Sequence, residues 1–221
     1  MKKIINPFQF VTPSGIENDP IKLIKEAISA GITWIQLRLK DVTYEEWLEI
    51  GKEARDLTLA HGVTLIINDN VGIAKEIGAD GVHLGKEDMP PSKARVILGD
   101  LAIIGGTANT FDDVVKLYKS GIDYIGLGPF RFTGSKTNLS PILGLEGYKD
   151  IFKHMALHEL SLPVVAIGGV ISEDVQYLLD TGCYGIAVTG AMVKDGAVGK
   201  NYQQFAPFFQ KNVSNKNSKS I

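Results

Sequence analysis

Residues 33–40 read Thr-Trp-Ile-Gln-Leu-Arg-Leu-Lys. Ile35, Leu37 and Leu39 alternate with Gln36, Arg38 and Lys40. Successive side chains of a strand point to opposite faces, so an amide, a guanidinium and an ammonium share one face. Two readings fit. A half-exposed antiparallel strand would leave that face in water. A parallel strand is covered on both faces and ordinarily reads as a near-continuous apolar run. Cationic groups inside such a sheet need an anionic partner, either a carboxylate or a bound phosphate.

The flanking chain favours the parallel sheet. Short apolar runs lie near 8–12, 33–39, 63–67, 80–84, 101–105, 122–127, 162–167 and 184–189. Helical patterns fall between them, near 18–30, 43–61, 70–77, 90–98, 111–119, 144–157 and 172–180, with a last one near 199–211. Thr43 with Glu46, and Ser172 with Glu173 and Asp174, read as helix-capping signals. Gly31, Gly62, Gly78, Gly121 and Gly182 stand where helices should stop. Repeated β-then-α units over 221 residues predict an α/β protein, a single (β/α)8 TIM barrel spanning residues 1–211. Residues 212–221 are polar and aperiodic and predict a disordered tail. An open doubly wound sheet would carry a glycine fingerprint after its first strand. Phe10-Val11-Thr12-Pro13-Ser14-Gly15 is not one.

A formal net charge of −2 supplies no global positive field for nucleic acid or anionic membrane. No targeting segment or membrane-length apolar run is evident, so the expected location is the cytoplasm. The lone Cys183 excludes an internal disulfide framework and reads as a small buried hydrophobe. The sequence leaves oligomeric state open, a homo-oligomer included.

In a barrel of this kind the active site lies at the C-terminal ends of the strands. The second strand ends in Gln36, Arg38 and Lys40, and the third in Asn68-Asp69. The fourth is followed by Lys86-Glu87-Asp88, and the fifth by Thr107-Ala108-Asn109-Thr110. The sixth leads into Thr133-Gly134-Ser135-Lys136; the seventh ends in Gly168-Gly169 and the eighth in Thr189-Gly190. Asp69 and Asp88 follow neighbouring strands and can meet at the mouth. Two carboxylates with water and phosphate oxygens suit Mg²⁺, although each aspartate could equally cap its following helix. With Arg38, Lys40 and Lys136 nearby, the group reads as a metal–diphosphate site. The glycine turns after the last two strands stand where barrels bind phosphate monoesters through backbone amides, or are ordinary turns. Two anionic subsites suit a reaction that joins a diphosphate-activated fragment to a phosphorylated one.

At this point the sequence resembles the thiamine phosphate synthase family, from about Phe10 to Met192. The motifs appear in order: Gln36-Leu37-Arg38-Leu39-Lys40, Ile67-Asn68-Asp69, Gly81-Val82-His83-Leu84-Gly85-Lys86-Glu87-Asp88-Met89-Pro90, Tyr124-Ile125-Gly126-Leu127-Gly128-Pro129, Thr133-Gly134-Ser135-Lys136 and Pro163-Val164-Val165-Ala166-Ile167-Gly168-Gly169. The resemblance implies transfer of an aminopyrimidine methyl group from its diphosphate to a thiazole phosphate nitrogen, through a carbocation-like species, with Mg²⁺ as cofactor. It implies Asp69 and Asp88 as metal ligands and Arg38, Lys40, Asn68 and Lys136 as diphosphate ligands, with Arg38, Lys40 and Lys136 catalytic. Gln36 would lie near the pyrimidine. Thr107, Thr133 and Ser135 would contact the thiazole phosphate and pyrophosphate, and Gly169, Thr189 and Gly190 would cradle the thiazole phosphate. Partners would be phosphorylated small molecules.

The chain departs from the family pattern in places. Thr107-Ala108-Asn109-Thr110 replaces Ser-x-His-Thr, Thr189-Gly190 replaces Ile-Ser, Phe132 replaces a proline, and Asn138 replaces an aspartate. A thiazole tautomerase of the same superfamily would depend on a histidine where Asn109 stands and would lack the metal and diphosphate residues. A non-catalytic phosphometabolite-binding barrel would leave both aspartates unexplained. His154 and His158 read as packing or surface residues, His83 as a hydrogen-bonded interior residue, and Tyr202, Phe205, Phe208 and Phe209 as a seal on the barrel base.

Overall fold

Eight short parallel strands pair in chain order and the last returns to the first, which closes the sheet. They are β1 (Phe8–Val11), β2 (Trp34–Leu37), β3 (Thr64–Asn68), β4 (Gly81–Leu84), β5 (Ile103–Ala108), β6 (Tyr124–Leu127), β7 (Val164–Ile167) and β8 (Gly185–Val188). The helices between them are α1 (Pro20–Ser29), α2 (Tyr44–Ala60), α3 (Val71–Glu76), α4 (Pro91–Leu98), α5 (Phe111–Lys119), α6 (Gly144–Leu157) and α7 (Val175–Asp180). Two short helices follow, α8 (Gly190–Val193) and α9 (Val198–Tyr202). The structure, a computed structural model, describes residues 5–132 and 140–209, and of Ile16 the backbone alone. Thr133, Ser135, Lys136, Asn138 and the tail 212–221 lie outside the described residues.

Closure answers the question posed by residues 33–40. Ile35 and Leu37 face outward into the layer between strands and helices, with Leu65, Ile67, Ile104 and Ile125 from neighbouring strands. Trp34, Ile66, Ile103, Tyr124, Val165 and Ala187 form a second, interior cluster. Alternation therefore places Gln36 and Arg38 inside, and the register sets Gln36 level with Val11 and Ile66.

Helix starts are set by side-chain caps. Thr43 and Glu46 form the expected reciprocal box, and Thr110 with Asp113 forms another. The signal at Ser172 resolves differently. Residues Ser172–Asp174 form a 3-10 turn, and Asp174, not Ser172, accepts the Ile171 N–H at 2.9 Å. Ile171, not Ser172, holds the cap position, and the aspartate that accepts its N–H also pairs with Arg131 at 2.7 Å. The last helical pattern, near 199–211, is interrupted: after α9 the chain turns over residues 203–206 before a short helical stretch at 207–209. Tyr202, Phe205 and Phe209 pack at 4.9, 5.6 and 5.9 Å on Phe8, which faces outward on β1. They cover the outside of the first strand and do not plug the barrel base.

One structural device occurs twice. Asp80, before β4, accepts the Leu65 N–H at 2.8 Å and pairs with Arg55 of α2 at 3.0 Å. Asp123, before β6, accepts the Ile104 N–H at 2.7 Å and pairs with Arg95 of α4 at 2.7 Å. Each aspartate ties two strands to the helix that precedes them.

Candidate active site

The mouth begins at the end of β2. The Arg38 N–H donates to Thr12 Oγ1 at 2.9 Å, which joins the ends of β1 and β2. Burial lowers the pKa of the Arg38 guanidinium against the opposing pull of Asp69. Among the described residues Arg38 has no ion-pair partner within 4.0 Å. A half-buried guanidinium in that condition is suited to a bound anion.

Lys40 Nζ stands 2.5 Å from Asp69 Oδ2. Asp69 adopts φ 64°, a left-handed conformation uncommon outside glycine, and its N–H donates to the His83 carbonyl at 2.8 Å. It does not cap α3. Asn70 does, accepting the Ile73 N–H at 3.0 Å. Asp88 does not cap α4 either, since that helix starts behind Pro90; Asp88 accepts the Gly85 N–H at 2.6 Å. Both aspartates are thus free of the capping role, and their carboxyl groups lie within reach of each other. Burial, then the bond to Asp69, pushes Asp88 up to about 6. Burial also acts upward on Asp69, but the bonds to Asp88 and Lys40 outweigh it and hold Asp69 below the usual range. Two carboxylates this close repel, so the second of them ionises later than a free aspartate would.

A cavity of about 430 Å³ opens at the strand ends. Gln36, Arg38, Asn68 and Thr107 line one side, and Gly168, Gly169, Thr189, Gly190 and Lys194 line the other. A second hollow of about 370 Å³ lies over Lys40, Asp69, Asn70 and Met89, and Asn68 borders both. Gly168 and Gly169 have φ 94° and 68°. A Cβ would come within 2.6 Å of Pro129 Cβ at Gly168, and within 2.4 Å of Arg131 Cγ at Gly169. Only glycine supplies this backbone at this proximity.

Comparison with known proteins agrees with this geometry. The family profile described as "Thiamine monophosphate synthase" matches residues 8–192. The chain belongs to the thiamine monophosphate synthase family. A "Thiamine-phosphate synthase" of Bacteroides fragilis (strain YCH46) is 46% identical over 186 residues, covering 84% of this chain and 91% of the relative. One from Phocaeicola vulgatus is 51% identical over 168 residues, covering 76% of this chain and 81% of the relative. A solved structure, "Thiamine phosphate pyrophosphorylase from Pyrococcus furiosus", superposes with a TM-score of 0.80 at 32% identity, covering 92% of this chain and 95% of that one.

Gln36, Arg38, Asn68, Thr107, Gly169, Thr189 and Gly190 meet around one cavity, with Lys40 and Asp69 in the adjoining hollow. Thr133, Ser135 and Lys136 fall outside the described residues. Asn109, which departs from the family pattern, is buried; its Nδ2 donates to the carbonyls of Gly128 at 3.0 Å and Pro141 at 2.9 Å. It fastens the end of β5 to the segment after β6. The motif reading passed over Lys194, whose place is set by Asn201 donating to its carbonyl at 2.7 Å. It also passed over Gln9, although a glutamine between Phe8 and Phe10 is a visible irregularity in a buried strand. His154 and His158 pack on Phe111 at 5.3 and 5.2 Å. Cys183 is buried, which pushes its thiol up to about 12.

Among the described residues no cluster of three or more His, Cys, Asp or Glu side chains is placed to hold a metal, so no closed all-protein cage exists there. A two-carboxylate site still fits Mg²⁺, which keeps several waters and takes phosphate oxygens. The closeness of the Asp69 and Asp88 carboxyl groups is itself an indication of fit, since a divalent cation relieves their repulsion. No helix of the described residues is long and apolar enough to cross a membrane.

Proposed function

We propose that this chain makes thiamine phosphate. It joins 4-amino-2-methyl-5-pyrimidinylmethyl diphosphate to 4-methyl-5-(2-phosphooxyethyl)thiazole and releases pyrophosphate. The supporting observation is the division of the mouth at Asn68: Lys40 and Asp69 border one compartment, while the other has Arg38 beside Asn68 and the glycine turns on its far side. One suits a diphosphate with a metal, the other a phosphate monoester.

Arg38, Lys40 and Asn68, with Lys136 assigned from its motif, bind the diphosphate and take up charge as the C–O bond to the pyrimidinylmethyl group breaks. Asp69 and Asp88 would hold Mg²⁺, which would neutralise charge on the departing pyrophosphate. Gln36 orients the pyrimidine. Gly169, Thr189 and Gly190 seat the thiazole phosphate so that its ring nitrogen faces the electron-poor methylene, with Thr107, Thr133 and Ser135 as polar contacts. Holding both rings in line converts a bimolecular capture into an intramolecular one. No nucleophilic side chain is required. A tautomerase would need an acid–base group at position 109, where the Asn109 amide is committed to two carbonyls.

The test is direct. Purified protein is mixed with both substrates, with Mg²⁺ or with excess chelator, and thiamine phosphate is read by oxidation to its fluorescent product. Product with Mg²⁺ alone is expected. Folded protein that gives none in Mg²⁺ would overturn the proposal and favour a tautomerase or a binding protein.

A further inference from the structure

Beneath the cavity a chain of hydrogen bonds crosses the barrel interior. Gln36 Nε2 donates to Gln9 Oε1 at 3.2 Å, and Gln9 Nε2 donates to the Tyr124 hydroxyl at 3.4 Å. His83 Nδ1 lies 3.0 Å from the same hydroxyl, and His83 Nε2 lies 3.0 Å from Thr107 Oγ1. Gln9, Gln36, Tyr124 and His83 are 1%, 2%, 0% and 7% exposed. Two glycines make room for them. A Cβ at Gly105 would lie 2.2 Å from Tyr124 Cζ and 2.6 Å from His83 Nδ1; one at Gly126 would lie 2.8 Å from His83 Cε1. Barrel interiors are ordinarily filled by branched apolar side chains, and a buried polar network is tolerable only when every member is satisfied. This barrel empties two positions to accommodate one.

Each inner member gives on one side and accepts on the other. The amide has one oxygen and one NH₂, the phenol one proton, and the neutral imidazole one N–H. The chain therefore has two self-consistent proton arrangements. In the one described, Tyr124 donates to His83 Nδ1, His83 Nε2–H donates to Thr107, and the Thr107 proton is left for the cavity. The Gln36 carbonyl oxygen then has no partner among the described residues. Reversal inverts both ends, so that Gln36 offers N–H and Thr107 only accepts. Gln36 and Thr107 both line the cavity. Their donor and acceptor characters are thus set together.

We propose that Gln9, Tyr124 and His83 are positioning residues that fix this polarity, with an acceptor at Gln36 and a donor at Thr107. A ring that turns an amino group to Gln36 is accepted. Its oxo counterpart meets a carbonyl, and admitting it requires reversal of the whole chain. The inference rests on the proposed function, which supplies the aminopyrimidine, and adds how that ring is chosen.

Binding tests it without turnover. Calorimetry with the 4-amino pyrimidinylmethyl diphosphate and its 4-oxo counterpart, in the absence of thiazole phosphate, gives an affinity ratio; inorganic pyrophosphate gives the reference. The unaltered protein should prefer the amino ring by about tenfold or more. In Tyr124→Phe the ratio should fall at least about fivefold, with pyrophosphate affinity unchanged. Gln9→Met carries the same expectation should Tyr124→Phe fail to fold. An unaltered protein without preference, or a folded variant in which both rings weaken equally, would overturn the chain alone. Pyrophosphate bound but neither ring bound by the unaltered protein would overturn the proposed function and the inference together.

Discussion

The carboxyl groups of Asp69 and Asp88, set at the ends of adjacent strands, lie close enough to shift each other's titration, while neither caps a helix. Capping of α3 falls to Asn70, the residue next to Asp69, and α4 opens on prolines. Both acids are thereby left at the mouth beside Lys40, whose ammonium pairs with Asp69 at 2.5 Å and offsets part of their repulsion. Such an arrangement is disposed to take up a cation.

Asp69→Asn and Asp88→Asn should each lower kcat by about 100-fold or more, the range seen when one electrostatic contact to developing charge is lost. The Mg²⁺ concentration for half-maximal activity should rise in both. Melting temperatures in chelator should change little or rise, since each substitution removes one of two clustered negative charges. Near-native activity in either variant would remove that residue from the metal site.

Lys194 borders the cavity beside Thr189 and Gly190 and has no ion-pair partner among the described residues. Lys194→Ala should raise the KM for thiazole phosphate about tenfold, comparable to loss of one charge-assisted contact, and leave the KM for the pyrimidine diphosphate unchanged. Steady-state kinetics with each substrate varied in turn checks this. Equal changes in both constants would place Lys194 outside the phosphate subsite.

Asp80 is bound to Arg55 and to the Leu65 N–H in a largely buried setting. Asp80→Ala leaves a guanidinium and a strand N–H without that acceptor. Urea denaturation should show a loss of about 3 kcal/mol, the cost of breaking a buried pair from one side. Activity under native conditions should persist, since Asp80 lies before β4, at the opposite end of the strands from the mouth. A loss below about 0.5 kcal/mol would mean the clamp is dispensable.

Burial acts upward on the Asp113 carboxyl, but Lys86 Nζ at 2.6 Å and the N–H groups of Asn109 and Thr110, each at 3.0 Å, outweigh it and hold the group below the usual range. A depressed folded-state pKa contributes stability that is complete above the unfolded value and is lost as pH falls through the folded one. Stability should therefore decline below about pH 4, the unfolded value for aspartate. In Asp113→Asn that decline should be shallower, with lower stability at neutral pH. Parallel pH–stability curves for the two proteins would exclude the contribution.

Much of this protein can be read from its residues one after another. The alternation of apolar runs with helical patterns, the stop glycines and the box at Thr43 and Glu46 are local signals, and each lies in the expected element. The ordered motifs from Gln36 to Gly169 point to the family because they follow the strand ends in sequence. What the residues could not decide was set by contacts between distant segments. Asp69 and Asp88 could each have been a helix cap; only the position of Asn70 and the start of α4 at Pro91 release them. Asn109 is a departure in sequence and a tie between two loops in space. Ser172 does not hold the cap position, which falls to Ile171; the Ile171 N–H goes to Asp174, an aspartate paired with Arg131, 43 residues away along the chain. Gln9, Tyr124 and His83 have no common pattern in sequence, and they form one hydrogen-bonded chain only because closure of the barrel brings β1, β4 and β6 around the same interior. Local periodicity determines elements, since it depends on near neighbours. The partner of each polar group is chosen by tertiary packing, which brings together groups that the sequence keeps apart.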